Sequence, residues 1–170
     1  MISIQKDSIS RINSSIPSLP KVLWGLRGTQ LPNGDLLVCG GVTGMGISEY
    51  RHYKEGSNQW TKVGTMKGAR SLHSSVWIDG RLLVTGGVNS SNKKTSYHEE
   101  FSFDGGVKER KELPIALYSH TATIFGQNGM IVSGGFNERN VSKIFSKLRF
   151  EKGDLDLVLL GRFNLSSCSN

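Results

Sequence analysis

Leu36-Leu37-Val38-Cys39-Gly40-Gly41, Leu82-Leu83-Val84-Thr85-Gly86-Gly87 and Met130-Ile131-Val132-Ser133-Gly134-Gly135 share one pattern: three apolar residues, a small residue, then a glycine pair. The first glycines stand at 40, 86 and 134, so the pattern returns after 46 and then 48 residues. A period of that size means one supersecondary unit used repeatedly. Each apolar run is short and continuous, as in a strand covered on both faces.

Working outward, the same rhythm persists. Tyr53, Phe103 and Phe150 are each followed by a glycine at plus three (Gly56, Gly106, Gly153) and by Trp60, Arg110 or Leu157 at plus seven. The segments 54–56, 104–106 and 151–153 read as tight turns, with glycine supplying the left-handed backbone. Pro32-Asn33-Gly34, Asp79-Gly80 and Gln127-Asn128-Gly129 mark a second set of hairpins. In the middle unit this divides the chain into strands at about 70–78, 81–85, 95–103 and 107–113. Upstream, Met66 precedes His73 by seven residues and Pro114 precedes His120 by six, and Leu19-Pro20 matches Leu113-Pro114, which puts Trp24, Tyr118 and Arg70 in one shared position. No stretch keeps a helical period.

Four short antiparallel strands per unit, repeated with glycine punctuation, predict an all-β fold of β-propeller blades. The doublet, the later aromatic and Trp60 together resemble the kelch-repeat family over most of the chain. Only the first unit carries the complete set. The units run 21–67, 68–114 and 115–163, followed by a polar tail at 164–170. Residues 1–20 read as an outer-strand remnant of a preceding blade, through Ser8–Ile12. Closed propellers use about four to eight blades. Three blades therefore predict an incomplete propeller, either a fragment or a half that associates with a second copy. The doublet itself has a steric reason: blades converge near an axis, and only a residue without Cβ tolerates that approach.

Composition narrows the function classes. The formal net charge is +7. Lys93, Lys94, Lys108, Arg110 and Lys111 are among the residues behind it, and they suit either an acidic partner or strand edges guarded against aggregation. No nucleic-acid module with interleaved aromatics is present. No apolar run approaches the length of a membrane span. The N-terminus lacks the apolar core of a signal peptide. A cytoplasmic location is expected, with an extracellular alternative kept by four sequons at Asn13, Asn89, Asn140 and Asn164. Cys39 reads as a buried free thiol, and Cys168 lies in the tail.

Catalytic and metal chemistry find little support in the pattern. His73 and His120 recur in register, which indicates a structural role within blades. His52 and His98 on third strands are expected to be exposed. Glu99 and Glu100 point to opposite faces of a strand and cannot act as a pair. No Gly-x-Ser-x-Gly elbow and no phosphate loop occur. The expectation is a non-catalytic protein-interaction module with no cofactor and no metal. A galactose-oxidase-like or sugar-epimerase-like enzyme is the alternative. Candidate binding residues are Asn89, Ser91, Lys93, Asn137 and Arg139 in the loops after the doublets, with Arg70 and Tyr118, beside His73 and His120, expected at the opposite mouth. An acidic protein is the expected partner.

Overall fold

The computed structural model describes residues 16–43, 45–46, 48–126 and 129–137, together with the backbone of the strands Ile144–Glu151 and Asp154–Arg162. The expectations for residues 1–15, for Arg139 and for the tail lie outside the described residues.

Three four-stranded antiparallel meanders follow one another. The first uses Arg27–Gln30, Leu36–Cys39, Glu49–Tyr53 and Thr61–Thr65. The second uses Ser74–Ile78, Arg81–Thr85, His98–Ser102 and Gly106–Arg110. The third uses Thr121–Ile124, Gly129–Ser133, Ile144–Glu151 and Asp154–Arg162. Sheets touch mainly through their first strands, which therefore lie innermost. This is the blade arrangement of a propeller. The turns form where the residues dictate. Asp79 and Gly80 both adopt positive φ, at 49° and 74°, as a primed two-residue hairpin requires.

The core consists of two joints between blades. Leu37, Cys39 and Tyr50 pack against Leu82, Val84 and Phe101 at the first. Leu83, Val76 and Ile78 pack with Met130 and Val132 at the second. Leu82 to Thr85 are all buried, because the middle blade has a neighbour on each side. The equivalent strands of the end blades alternate between buried and half-buried.

The glycine pair divides its labour across each joint. A Cβ on Gly40 would lie 2.5 Å from both Arg70 O and His73 Cε1 of the next blade. One on Gly86 would overlap Leu117 O and lie 2.7 Å from His120 Cε1. The second glycine donates its N–H across the joint, from Gly41 to Arg70 O at 2.9 Å and from Gly87 to Leu117 O at 2.7 Å. The residue before the pair meets the next blade's histidine. Cys39 Sγ lies 3.3 Å from His73 Nε2, and Thr85 Oγ1 lies 2.9 Å from His120 Nε2. The repeated histidines thus bond between blades rather than within one.

Two registers differ from the sequence-based expectation. Trp24, Ser71 and Tyr118 bridge to Val42, Val88 and Phe136, so Arg70 sits one residue earlier, with Leu23 and Leu117. Met66 aligns with Leu113, each seven residues before the repeated histidine. Both are buried, and their N–H groups reach Ser48 O and Ser96 O respectively. The second difference concerns Phe103. Leu36 pairs with Tyr53 and Leu82 with Phe101, so Phe101 holds the aromatic place. Phe103 falls in the turn and is 51% exposed. The turn between third and fourth strands is shorter in the middle blade than in the first, which misleads any count taken from its glycine. Trp60 does pack on Tyr53, at 5.5 Å between ring centroids. Arg110 lies opposite His98 and not in the place of Trp60.

Candidate functional site

The connectors entering the inner strands and the loops after the doublets meet at one end of the blades. Leu72 and Ser119, each leading into an inner strand, are held at φ of 54° and 52°. Non-glycine residues in this region carry local strain, which recurs at functional sites. Between the connectors lies a cleft of about 440 Å³ lined by Trp24, Ser71, Asn89, Ser90, Lys94 and Tyr118, among others. Its size falls within the range of small-molecule sites.

The chemistry of the cleft is mixed. Trp24 is 60% exposed, an unusual condition for the largest apolar side chain. Tyr118 stacks on Phe136 at 5.5 Å, and Lys94 Nζ sits 5.8 Å from the Tyr118 ring centre. Ring faces, hydroxyls, two amides and one ammonium therefore border a single space. Toward the axis, Arg27 is half-buried, and its Nε donates to His73 O at 2.7 Å.

Beneath the cleft lies a buried charge pair. Arg70 Nη2 is 3.2 Å from Glu99 Oε1, and both side chains are 1% exposed. Tyr50 donates its hydroxyl to Glu99 Oε1 at 2.6 Å, and the Lys67 N–H donates to Oε2 at 3.1 Å. Burial and the adjacent Glu99 charge raise the Tyr50 pKa, so the phenol stays a donor. Removing one member of a buried pair leaves the other charge uncompensated. Glu99→Gln is accordingly expected to cost about 3 kcal/mol in urea denaturation. An exposed control, Glu55→Gln, should stay within about 0.5 kcal/mol. Equal losses for the two variants would remove the pair from the account of stability.

The sequence-predicted residues separate into groups. Asn89 and Tyr118 reach the same cleft, so Tyr118 lies at the mouth of the loops after the doublets and not at the opposite one, because connectors and loops arrive at one end of the blades. The Asn89 side chain also shapes its own loop, because Oδ1 accepts N–H bonds from Ser91 at 3.0 Å and Lys93 at 2.9 Å. Ser91 and Lys93 are exposed, and neither lines the cleft. Asn137 is half-buried on the third blade. Arg70 is sealed beneath the surface and offers nothing to a ligand. His98 is 2% exposed, contrary to the expected exposure, because its strand is buried beneath the connector and the outer strand. His52 binds Asp35 Oδ2 at 2.8 Å and is half-buried. Trp24, Lys94 and Arg27 were not singled out from sequence as binding residues. Unpaired aromatic exposure is visible only in three dimensions. Among the described residues no group of three or more potential metal ligands converges, and no helix is long and apolar enough to cross a membrane.

No protein-family model matches the chain. It is 25% identical to the N-acetylneuraminate epimerase of Salmonella arizonae over 150 residues, which is 83% of this chain and 38% of that protein. The enzyme of the same name from Salmonella typhi is 24% identical over 161 residues, covering 89% of this chain and 41% of the relative. A Kelch repeat and BTB domain-containing protein 1 from Cowpox virus is 28% identical over 101 residues, 59% of this chain and 18% of its own length. Among solved structures, YjhT superposes with a TM-score of 0.71 at 14% identity, over 84% of this chain and 52% of that one. The chain thus spans about two fifths of the length of the two epimerases. These relatives correct the expectation of a non-catalytic module, because an enzyme's name covers most of the chain.

Proposed function

We propose, taking as premise that the chain is part of a β-propeller built from kelch-type repeats, that it contributes the ligand-holding wall of a sugar epimerase acting on an acidic N-acylated sugar. The cleft between the connectors carries this reading. Sugars present an apolar face of C–H bonds, which suits the exposed Trp24 ring, and hydroxyls, which suit Asn89 and Ser90. A sugar carboxylate would find the Lys94 ammonium, and the net charge of +7 favours its approach. The epimerases named above support the substrate class. Within this chain the named residues bind and orient.

Saturation-transfer NMR with N-acetylneuraminate tests the reading, with neutral N-acetylglucosamine as control. The acidic sugar is expected to bind, and Lys94→Ala to weaken it about tenfold, in line with a lost charge-assisted hydrogen bond. A 1H NMR assay of epimer interconversion then measures activity. Equal binding of both sugars, or none of either, would defeat the proposal.

A further inference from the structure

We infer that two copies of this chain dock head to tail, the third blade of each against the first blade of the other, to form a ring of six blades. Each end of the chain presents one half of the joint that the interior uses twice. At the first joint Leu37 and Cys39 face Leu82 and Val84, and all four are at most 1% exposed. By strand register Ile131 and Ser133 on the third blade stand where Leu37 and Cys39 stand. Leu36 and Val38, on the opposite face of the first blade, stand where Leu82 and Val84 stand. Ile131, Ser133, Leu36 and Val38 are all only half-buried. Apolar positions that are sealed in the interior are thus left open at both ends, in matching register.

The glycines repeat the signal. The space beside Gly40 and Gly86 is filled by the next blade, whereas among the described residues nothing lies within 4 Å of a Cβ built on Gly134. Gly41 and Gly87 donate across their joints to Arg70 O and Leu117 O. Gly135 is the corresponding donor on the third blade, and Leu23 O is the corresponding acceptor on the first. The histidine contact is not repeated, because Leu26 holds the place of His73 and His120. Apolar packing and the backbone bond would carry the new joint. A second copy is the fitting occupant because one chain owns both complementary halves. A head-to-tail contact closes when its rotation returns to the start. Three sheets from each copy make six, inside the range of closed propellers. The chain also superposes on 52% of YjhT, so two copies match one whole propeller in extent. The second copy would supply a channel wall facing the inner strands.

Light scattering on the purified chain tests the inference. The expected mass is twice 18.6 kDa. Ile131→Lys alone and Val38→Glu alone should each return the mass to that of one chain with unchanged circular dichroism. Both substitutions in one chain should restore the dimer, because residue 131 of each copy would face residue 38 of the other. A wild-type chain that remains monomeric into the high micromolar range overturns the proposal, as does a dimer insensitive to both single changes. If a variant fails to fold, hydrogen exchange of the wild type decides. Protection at Val38 and Ile131 must rise with protein concentration, and its independence of concentration refutes the docking.

Discussion

Lowering the pH from 7 to 5 is expected to remove about 6 kcal/mol of folding stability, enough to unfold a domain of ordinary stability. The cause is three buried histidines. Burial lowers the pKa of His73 to about 3, assisted by the nearby Arg70 and Arg27 charges. Burial likewise lowers His98 and His120 to about 4 each. In the unfolded chain these groups return to the ordinary value of 6.5. The unfolded state therefore binds protons that the folded state refuses. Stability is complete above pH 6.5 and falls as the pH drops toward the folded values. At pH 5 each histidine accounts for about 2 kcal/mol. The lowered carboxylates, Asp35, Glu49 and Asp104, act in a separate window, because their stabilisation is lost only as pH falls below their unfolded values near 4. Urea midpoints measured between pH 7 and 5 should show an uptake approaching three protons on unfolding. A flat profile over that interval would contradict three neutral, sealed imidazoles.

Gly86→Val should destabilise the protein by about 5 kcal/mol, combining left-handed strain with overpacking. Gly86 has φ of 59°, a conformation that a β-branched residue resists. Its new Cβ would also overlap Leu117 O and crowd the His120 ring, separating the second and third blades. Gly80→Ala isolates the first effect. That hairpin glycine has φ of 74° and open space around it. Its loss should be about 1 kcal/mol. Denaturant titration of both variants distinguishes close approach from conformation alone. If Gly86→Val costs no more than Gly80→Ala, the doublet is a turn device and nothing else.

The architecture was legible because blade geometry imposes the same local demands three times. The glycine pairs, the Asp79-Gly80 hairpin and the recurring His73 and His120 all express contacts that every joint repeats. What escaped was whatever one blade does differently. Met66-Lys67 stands where the other units have Leu-Pro, so without the proline as a marker Arg70 was set one place too far along, and a buried ion-pair member looked like a surface group. The shorter turn beside Phe103 hid the role of Phe101. His98 resembles an exposed residue in a polar stretch until the neighbouring connector covers it. The cleft was the least visible feature. Trp24, Asn89 and Tyr118 are far apart in sequence and meet only because successive connectors arrive at one end of the blades. Loop variability pointed to Asn89, but it also pointed to Ser91 and Lys93, which face away.

Every joint is encoded by a few residues at each of two fixed places in the repeat: the doublet with its preceding small residue, and the connector whose carbonyl and histidine receive them. A gene segment copied from one doublet to the next would carry a matched plug and socket. Blades of this kind could be duplicated or exchanged in evolution, and in the laboratory, as cassettes whose seams lie at the glycines.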